Sequence, residues 1–189
     1  MDFAQYQAKA RETAIYIENP NIVMRYPAMG IIGECGEVAE KIKKLWRDDD
    51  CKMTEKRRVS IKHELGGCMW YLANICCDTD HDLKVAYTMR TVGAIHSVRG
   101  MTIERKVIHM HSIASQLASH LEHWYSRGSS LLDKWNYKEI PELMSRMLVC
   151  IEAICIELGL TIENVCAANL EQLASRKARG TLRGDGDNR

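Results

Sequence analysis

The 189-residue sequence predicts an all-α protein. Three observations carry that expectation. Breakers are scarce, with 3 Pro and 12 Gly against 10 Met and many Leu, Ile, Ala, Glu and Lys, which favour helices. Apolar residues recur at i, i+3, i+4 and i+7 over long windows. No segment shows the period-2 alternation of a half-buried strand.

The elements follow in order. A first helix is expected over about 3–17, stopped by Asn19-Pro20 because the residue before proline avoids the helical region. A second begins after Tyr26-Pro27, reaches about Trp46 and ends at the polar run Arg47-Asp48-Asp49-Asp50. A third spans about 54–77 and stops in the acidic turn Asp78-Thr79-Asp80. One helix over about 82–97 closes near Gly100. The next covers about 102–126 and is ended by Gly128-Ser129-Ser130. The last two cover about 137–158 and 161–178, parted by Leu158-Gly159-Leu160. The final ten residues, GTLRGDGDNR, are glycine-rich and polar and read as a mobile tail.

This length suits a single helical domain over 1–189. The net charge is +1, from 26 Lys plus Arg against 25 Asp plus Glu, which argues against a general nucleic-acid binder. No apolar run approaches the roughly 18 residues of a membrane span, and the N-terminus lacks the apolar core of a signal peptide. A soluble, cytoplasmic protein without membrane or nucleic-acid partners is the expectation. The 8 cysteines include no C-x-x-C pair, and most fall in apolar helical stripes. They read as buried, reduced small hydrophobes rather than a zinc site or disulfide framework.

The second helix, MGIIGECGEVAEKIKKLW, carries a clean stripe of Ile31, Cys35, Val38, Ile42 and Leu45. With Ile31 at 0° and about 100° per residue, Glu34 falls at about 300° and Glu37 at about 240°, flanking the stripe. The third helix, IKHELGGCMWYLANIC, has its stripe at Ile61, Leu65, Cys68, Leu72 and Ile75. There Glu64 falls at about 300° and Tyr71 at about 280°, on the same flank. If the two stripes pack together, Glu34, Glu37 and Glu64 converge beside the seam. Like charges so close need a cation, and three carboxylates suit Mg²⁺, with Mn²⁺ as an alternative, carrying phosphates. The competing reading is solvated surface charge, with Glu37–Lys41 and Glu40–Lys44 as ordinary i,i+4 pairs. Gly33, Gly36, Gly66 and Gly67 favour the site, because each costs about 1 kcal/mol in a helix interior. Small residues there allow close helix approach or leave room for a ligand.

The segments YPAMGIIGECGEVAEKIKKLWRD, ELGGCMWYLA and ELGLTIENVCAANLEQLASRKARGTLRGDGDNR, with an N-terminal YQAKARETA, resemble the MazG-type all-α nucleoside triphosphate pyrophosphohydrolases, especially short phage and bacterial members. The resemblance implies a MazG-like helical bundle that forms a homo-oligomer, dimer or tetramer. It implies Mg²⁺-dependent cleavage of an NTP or dNTP to a nucleoside monophosphate and pyrophosphate. The family's E-x-x-E falls on Glu34 and Glu37, and the first member of its E-x-x-D falls on Glu64. These three are the implied metal ligands and catalytic carboxylates. The Asp position is Gly67, a departure that lowers expected metal affinity. Asp78, Asp80 or the middle segment are possible substitutes.

Tyr71 and Asn169 match family residues that touch substrate, and Gln172 stands where the family has a Lys. Arg176, Lys177, Arg179 and Arg183 form a basic run that can reach phosphates, and the tail could close over the site. Lys44 adds a substrate-binding candidate on the acidic helix, and Trp46 and Trp70 could flank a base, although both are equally packing residues.

About 75 extra residues, roughly 77–152, separate the matching segments. ELMSRMLVCIEAIC loosely echoes ELGGCMWYLANIC, with Glu142 at the position of Glu64 and Ser145 at that of the missing Asp. The preceding helix would echo the second one, with Ser112 and Ser115 where Glu34 and Glu37 stand. An insertion or degenerate internal repeat is therefore expected. His109, His111, His120 and His123 in this segment admit a transition-metal site, with an exposed His-rich helix as the plainer reading. Two functions compete: the pyrophosphohydrolase, and a nucleotide-binding protein that sequesters or senses without turnover, which Gly67 and Gln172 favour. A helical interaction protein using the insert is a third.

Overall fold

A computed structural model describes residues 2–127 and 134–183, and the regular structure among them is helical, with no strand. Most helix starts are set by side-chain caps, which satisfy backbone N–H groups that the first turn leaves orphaned. Asp2 caps α1 (Phe3–Arg11), Thr54 caps α3 (Glu55–Asp78), Asp82 caps α4 (Leu83–Thr88) and Thr91 caps α5 (Val92–Arg99). Thr161 and Asn164 exchange side-chain-to-backbone bonds in a capping box that opens α8 (Ile162–Ala178). α2 (Arg25–Asp48) instead places Pro27 in its first turn, where the missing N–H costs nothing, and enters through Met24 at φ 66°. α6 (Ile103–Arg127) and α7 (Lys134–Glu157) complete the set.

Two expected helices come out differently. The first ends at Arg11, and two short 3-10 turns follow at Ile15–Glu18 and Pro20–Ile22. Tertiary bonds stop it. Trp70 Nε1 donates to Ala10 O at 3.1 Å and to Thr13 Oγ1 at 2.8 Å, and Thr13 Oγ1 donates to Ala10 O at 2.8 Å. The single helix expected over 82–97 is two, α4 and α5, because Thr91 caps a fresh start. The stop at Gly128-Ser129-Ser130 and the last six residues of the tail lie outside the described residues.

α2 lies between α3 and α6, α6 packs on α7, α1 and α8 close on α3, and α4 and α5 cover α7. α2 and α3 run antiparallel, since Gly30 meets Tyr71, Gly67 meets Glu34 and Arg57 pairs with Asp49. α6 also opposes α2, with Gly36 near His111 and Arg25 over the Tyr125 ring. The α2 and α3 stripes interlock as expected: Ile31, Cys35, Val38, Ile42, Ile61, Leu65, Cys68 and Leu72 are all buried. Each large apolar side chain so buried contributes roughly 1.5–3 kcal/mol.

The α6–α7 hairpin mirrors α2–α3 in form. Val107, Met110, Ala114, Leu117 and Leu121 repeat the buried spacing of Ala28, Ile31, Cys35, Val38 and Ile42. That register is one residue away from the one that matches Ser112 and Ser115 to Glu34 and Glu37. In the burial register Ile113 stands for Glu34 and Gln116 for Glu37, so the second hairpin lacks acids there.

At the end of α3, the Asp78 side chain is fully enclosed. It pairs with Arg11 at 2.7 Å, accepts from the Tyr16 hydroxyl at 2.7 Å and accepts from Met24 N–H at 3.3 Å. Asp78 therefore joins α1, the following turn and the start of α2, and is no substitute metal ligand. Burial, reinforced by Asp78, pushes the Tyr16 phenol far up, so it remains a hydrogen-bond donor. No helix among the described residues is long and apolar enough to cross a membrane.

All eight cysteines are free; six are buried, Cys77 is half-buried and Cys51 is exposed. Burial pushes the Cys150 and Cys155 thiols up to about 12, so they stay protonated near neutral pH. A disulfide-exchange reagent at pH 8 should therefore titrate Cys51 rapidly and the six buried thiols only after unfolding. Rapid reaction of three or more thiols in the folded chain would contradict this packing.

Candidate functional site

α2 and α3 deliver their flanking carboxylates to one place. Glu34, Glu37 and Glu64 each present an oxygen within 4.8 Å of the others. They line a cavity of about 480 Å³ with Gly67, Trp70 and Tyr71 of α3, and with Asn169, Gln172 and Arg176 of α8. Thr13, Ile15 and Tyr16 after α1, Tyr26 of α2, and Leu182 beyond α8 complete much of the rim. Glu37 is exposed, whereas Glu64 is 7% exposed. Lys41 reaches Glu64 at 2.9 Å rather than pairing with Glu37. The other expected helix pair does form, Glu40 with Lys44 at 3.2 Å, and it lowers the Glu40 pKa.

The glycines have separate uses. A Cβ at Gly67 would lie 2.2 Å from Glu34 Oε2, so the Glu34 carboxylate fills the room beside the vacant side chain. A Cβ at Gly30 would lie 2.1 Å from the Tyr71 ring, so only glycine lets that ring lie across α2. A Cβ at Gly66 would come within 3.0 Å of Asn169 Cβ, so this glycine sets the approach of α8 to α3. Gly33 faces open space.

Beneath the carboxylates the Cys35 and Cys68 sulfurs lie 3.8 Å apart. The hydrogen bond to Cys35, with burial, holds the Cys68 thiol well above its ordinary pKa. Above them Tyr16 stacks on Tyr26 at 4.9 Å, Tyr26 approaches Tyr71 at 6.2 Å, and Trp70 meets Tyr71 edge-on at 4.9 Å. The cavity thus has an acidic end and an aromatic wall.

Of the expected site residues, Glu34, Glu37, Glu64, Tyr71, Asn169 and Arg176 line this cavity. Lys44 and Trp46 do not. Both lie further along α2, Trp46 roughly 18 Å beyond Glu34 at 1.5 Å per residue. Lys44 is bound to Glu40 there, and Trp46 is 51% exposed. Trp70 is the tryptophan at the cavity, and Gln172 lines it too.

Sequence reasoning passed over Ser60 and His63, which also line the cavity. Ser60 shares the Glu64 flank at about 260°, so the same wheel could have found it. Tyr16 and Tyr26 were hidden by the unforeseen turn after α1. The four histidines of α6 form no metal-ligating group among the described residues, and His120 pairs with Glu139 at 3.0 Å.

The Gene 37 protein of Mycobacterium phage L5 is 37% identical to this chain over 100 residues, covering 49% of this chain and 83% of that protein. This chain belongs to the family of that phage protein. No family model and no solved structure matches it. The shared portion is about half of this chain, so a large part of the helical bundle lies outside the stretch shared with the phage relative.

The two adjacent glycines separate close packing from room for a carboxylate. Gly66→Ala and Gly67→Ala each gain about 1 kcal/mol of helix propensity. Gly66→Ala also presses on Asn169 at the α3–α8 contact, an overpacking cost of about 1–3 kcal/mol. Gly67→Ala instead meets the carboxylate at the end of the flexible Glu34 side chain, which can shift with less cost than backbone. Urea unfolding should therefore find Gly66→Ala the less stable variant by about 1–3 kcal/mol. Equal stabilities would place α8 away from Gly66.

Proposed function

We propose that this chain is a Mg²⁺-dependent nucleotide pyrophosphohydrolase, cleaving an NTP or dNTP to its monophosphate and pyrophosphate. The observation that carries the proposal is the meeting of Glu34, Glu37 and Glu64 at one cavity. The donor set fits a hard divalent cation. Oxygens on opposite sides of Mg²⁺ stand about 4.2 Å apart, close to the observed spread and within reach of glutamate side-chain movement. Charge agrees as well. The three carboxylates outnumber the cationic Lys41 and Arg176 beside them, so the site is net negative and attracts a cation. With glycine at 67, one ion suits the site better than two. Mn²⁺ is an alternative ion by the same chemistry.

The cavity volume lies in the range that takes small ligands. Mg²⁺ held by these carboxylates would supply neutralisation of triphosphate charge. Arg176, the Tyr71 hydroxyl and the Asn169 amide offer further groups for phosphate or sugar oxygens. One of the glutamates would accept a proton from the attacking water; Glu37, the exposed one, is the candidate tested below, as Glu64 is engaged by Lys41. The water oxygen bonds to the α-phosphorus and the bridging oxygen leaves with pyrophosphate. Tyr16, Tyr26 and Trp70 offer the base an apolar wall. Assembly as a homo-oligomer belongs to the same proposal, through the resemblance that suggested it.

A second reading, nucleotide binding without turnover, is favoured by glycine at 67 and glutamine at 172. Pyrophosphate release across NTPs and dNTPs with Mg²⁺ separates the two. Release should stop with a chelator and fall about 100-fold or more in Glu37→Gln. Tight Mg²⁺-dependent nucleotide binding with no release would establish the second reading, and neither binding nor release would remove both.

A further inference from the structure

The side chain of Asn169 sits in an asymmetric setting. Tyr6 on α1 is completely buried, and its hydroxyl donates to Asn169 Oδ1 at 2.9 Å. Burial, with the Cys166 and Cys68 sulfurs nearby, pushes the Tyr6 phenol well up, so it keeps its proton. That proton needs an acceptor, and the amide oxygen supplies it. The opposite edge of the amide is Nδ2, which passes Gly66 at 3.3 Å from where a Cβ would stand. Among the described residues Nδ2 meets no protein acceptor, and Asn169 is part of the cavity wall.

We propose that Tyr6 is a positioning residue that holds the Asn169 amide with its N–H edge turned into the cavity. This rests on the proposed nucleotide site for its ligand, but not for its geometry. A free asparagine presents either edge to a ligand with little difference in shape. Here one orientation pairs the buried phenol proton with oxygen, whereas the flipped amide turns an N–H group toward it. The ligand group facing Asn169 is therefore a hydrogen-bond acceptor, such as a phosphate or sugar oxygen. The glycine at 66 lets α8 come close enough for Asn169 to reach both Tyr6 and the cavity.

The tests compare wild type, Tyr6→Phe, Asn169→Ala and the double variant. Binding of a non-hydrolysable triphosphate with Mg²⁺ is read by calorimetry, unfolding by urea, and the Asn169 side-chain NH₂ by ¹⁵N-correlated NMR. Tyr6→Phe should weaken binding about 3- to 10-fold in the wild-type background. In the Asn169→Ala background it should change binding less than twofold. Its Asn169 NH₂ pair should move or broaden as the amide loses its fixed partner. A tyrosine that only fills the core would lower stability, leave the NH₂ pair in place and act equally in both backgrounds; that result overturns the proposal. If wild type binds no nucleotide, the proposed function fails, and the NH₂ spectrum still decides the tyrosine: an unchanged pair in Tyr6→Phe refutes its role and a shifted pair upholds it.

Discussion

Glu34 and Glu37 on α2 and Glu64 on α3 must share a space only a few ångströms across. Their mutual repulsion opposes that arrangement, and the apolar seam beside them holds it. Ile31, Cys35, Val38 and Ile42 lock against Ile61, Leu65, Cys68 and Leu72, with none more than 2% exposed. The flanks of both helices then have no freedom to separate. Lys41 relieves part of the charge through Glu64.

Close approach also depends on what is missing. Glycines at 30, 66 and 67 leave room for the Tyr71 ring, Asn169 and the Glu34 carboxylate respectively. Each weakens its helix locally, and the long tertiary seam offsets that loss. Gly67 is therefore not simply an empty position, because Glu34 has taken up the space beside it.

The rim is built by a different device. Asp78, buried at the end of α3, gathers Arg11, Tyr16 and the Met24 N–H. That cluster fixes the path of the chain between α1 and α2 and brings Tyr16 onto Tyr26. The aromatic wall of the cavity thus follows from a buried polar contact. Trp70 adds to it by ending α1 through its indole N–H.

Composition and periodicity determined the all-helical class, and periodicity the α2 and α3 stripes and the shared flank of the three glutamates. These are properties of single helices at fixed angles per residue, so they are readable without partners. Tertiary structure alone decided that α1 stops at Arg11, that Lys41 answers Glu64, and that Tyr6 meets Asn169 across 163 residues of chain. Each of these depends on which helices become neighbours and how far along they are set, quantities that no pattern within one helix encodes.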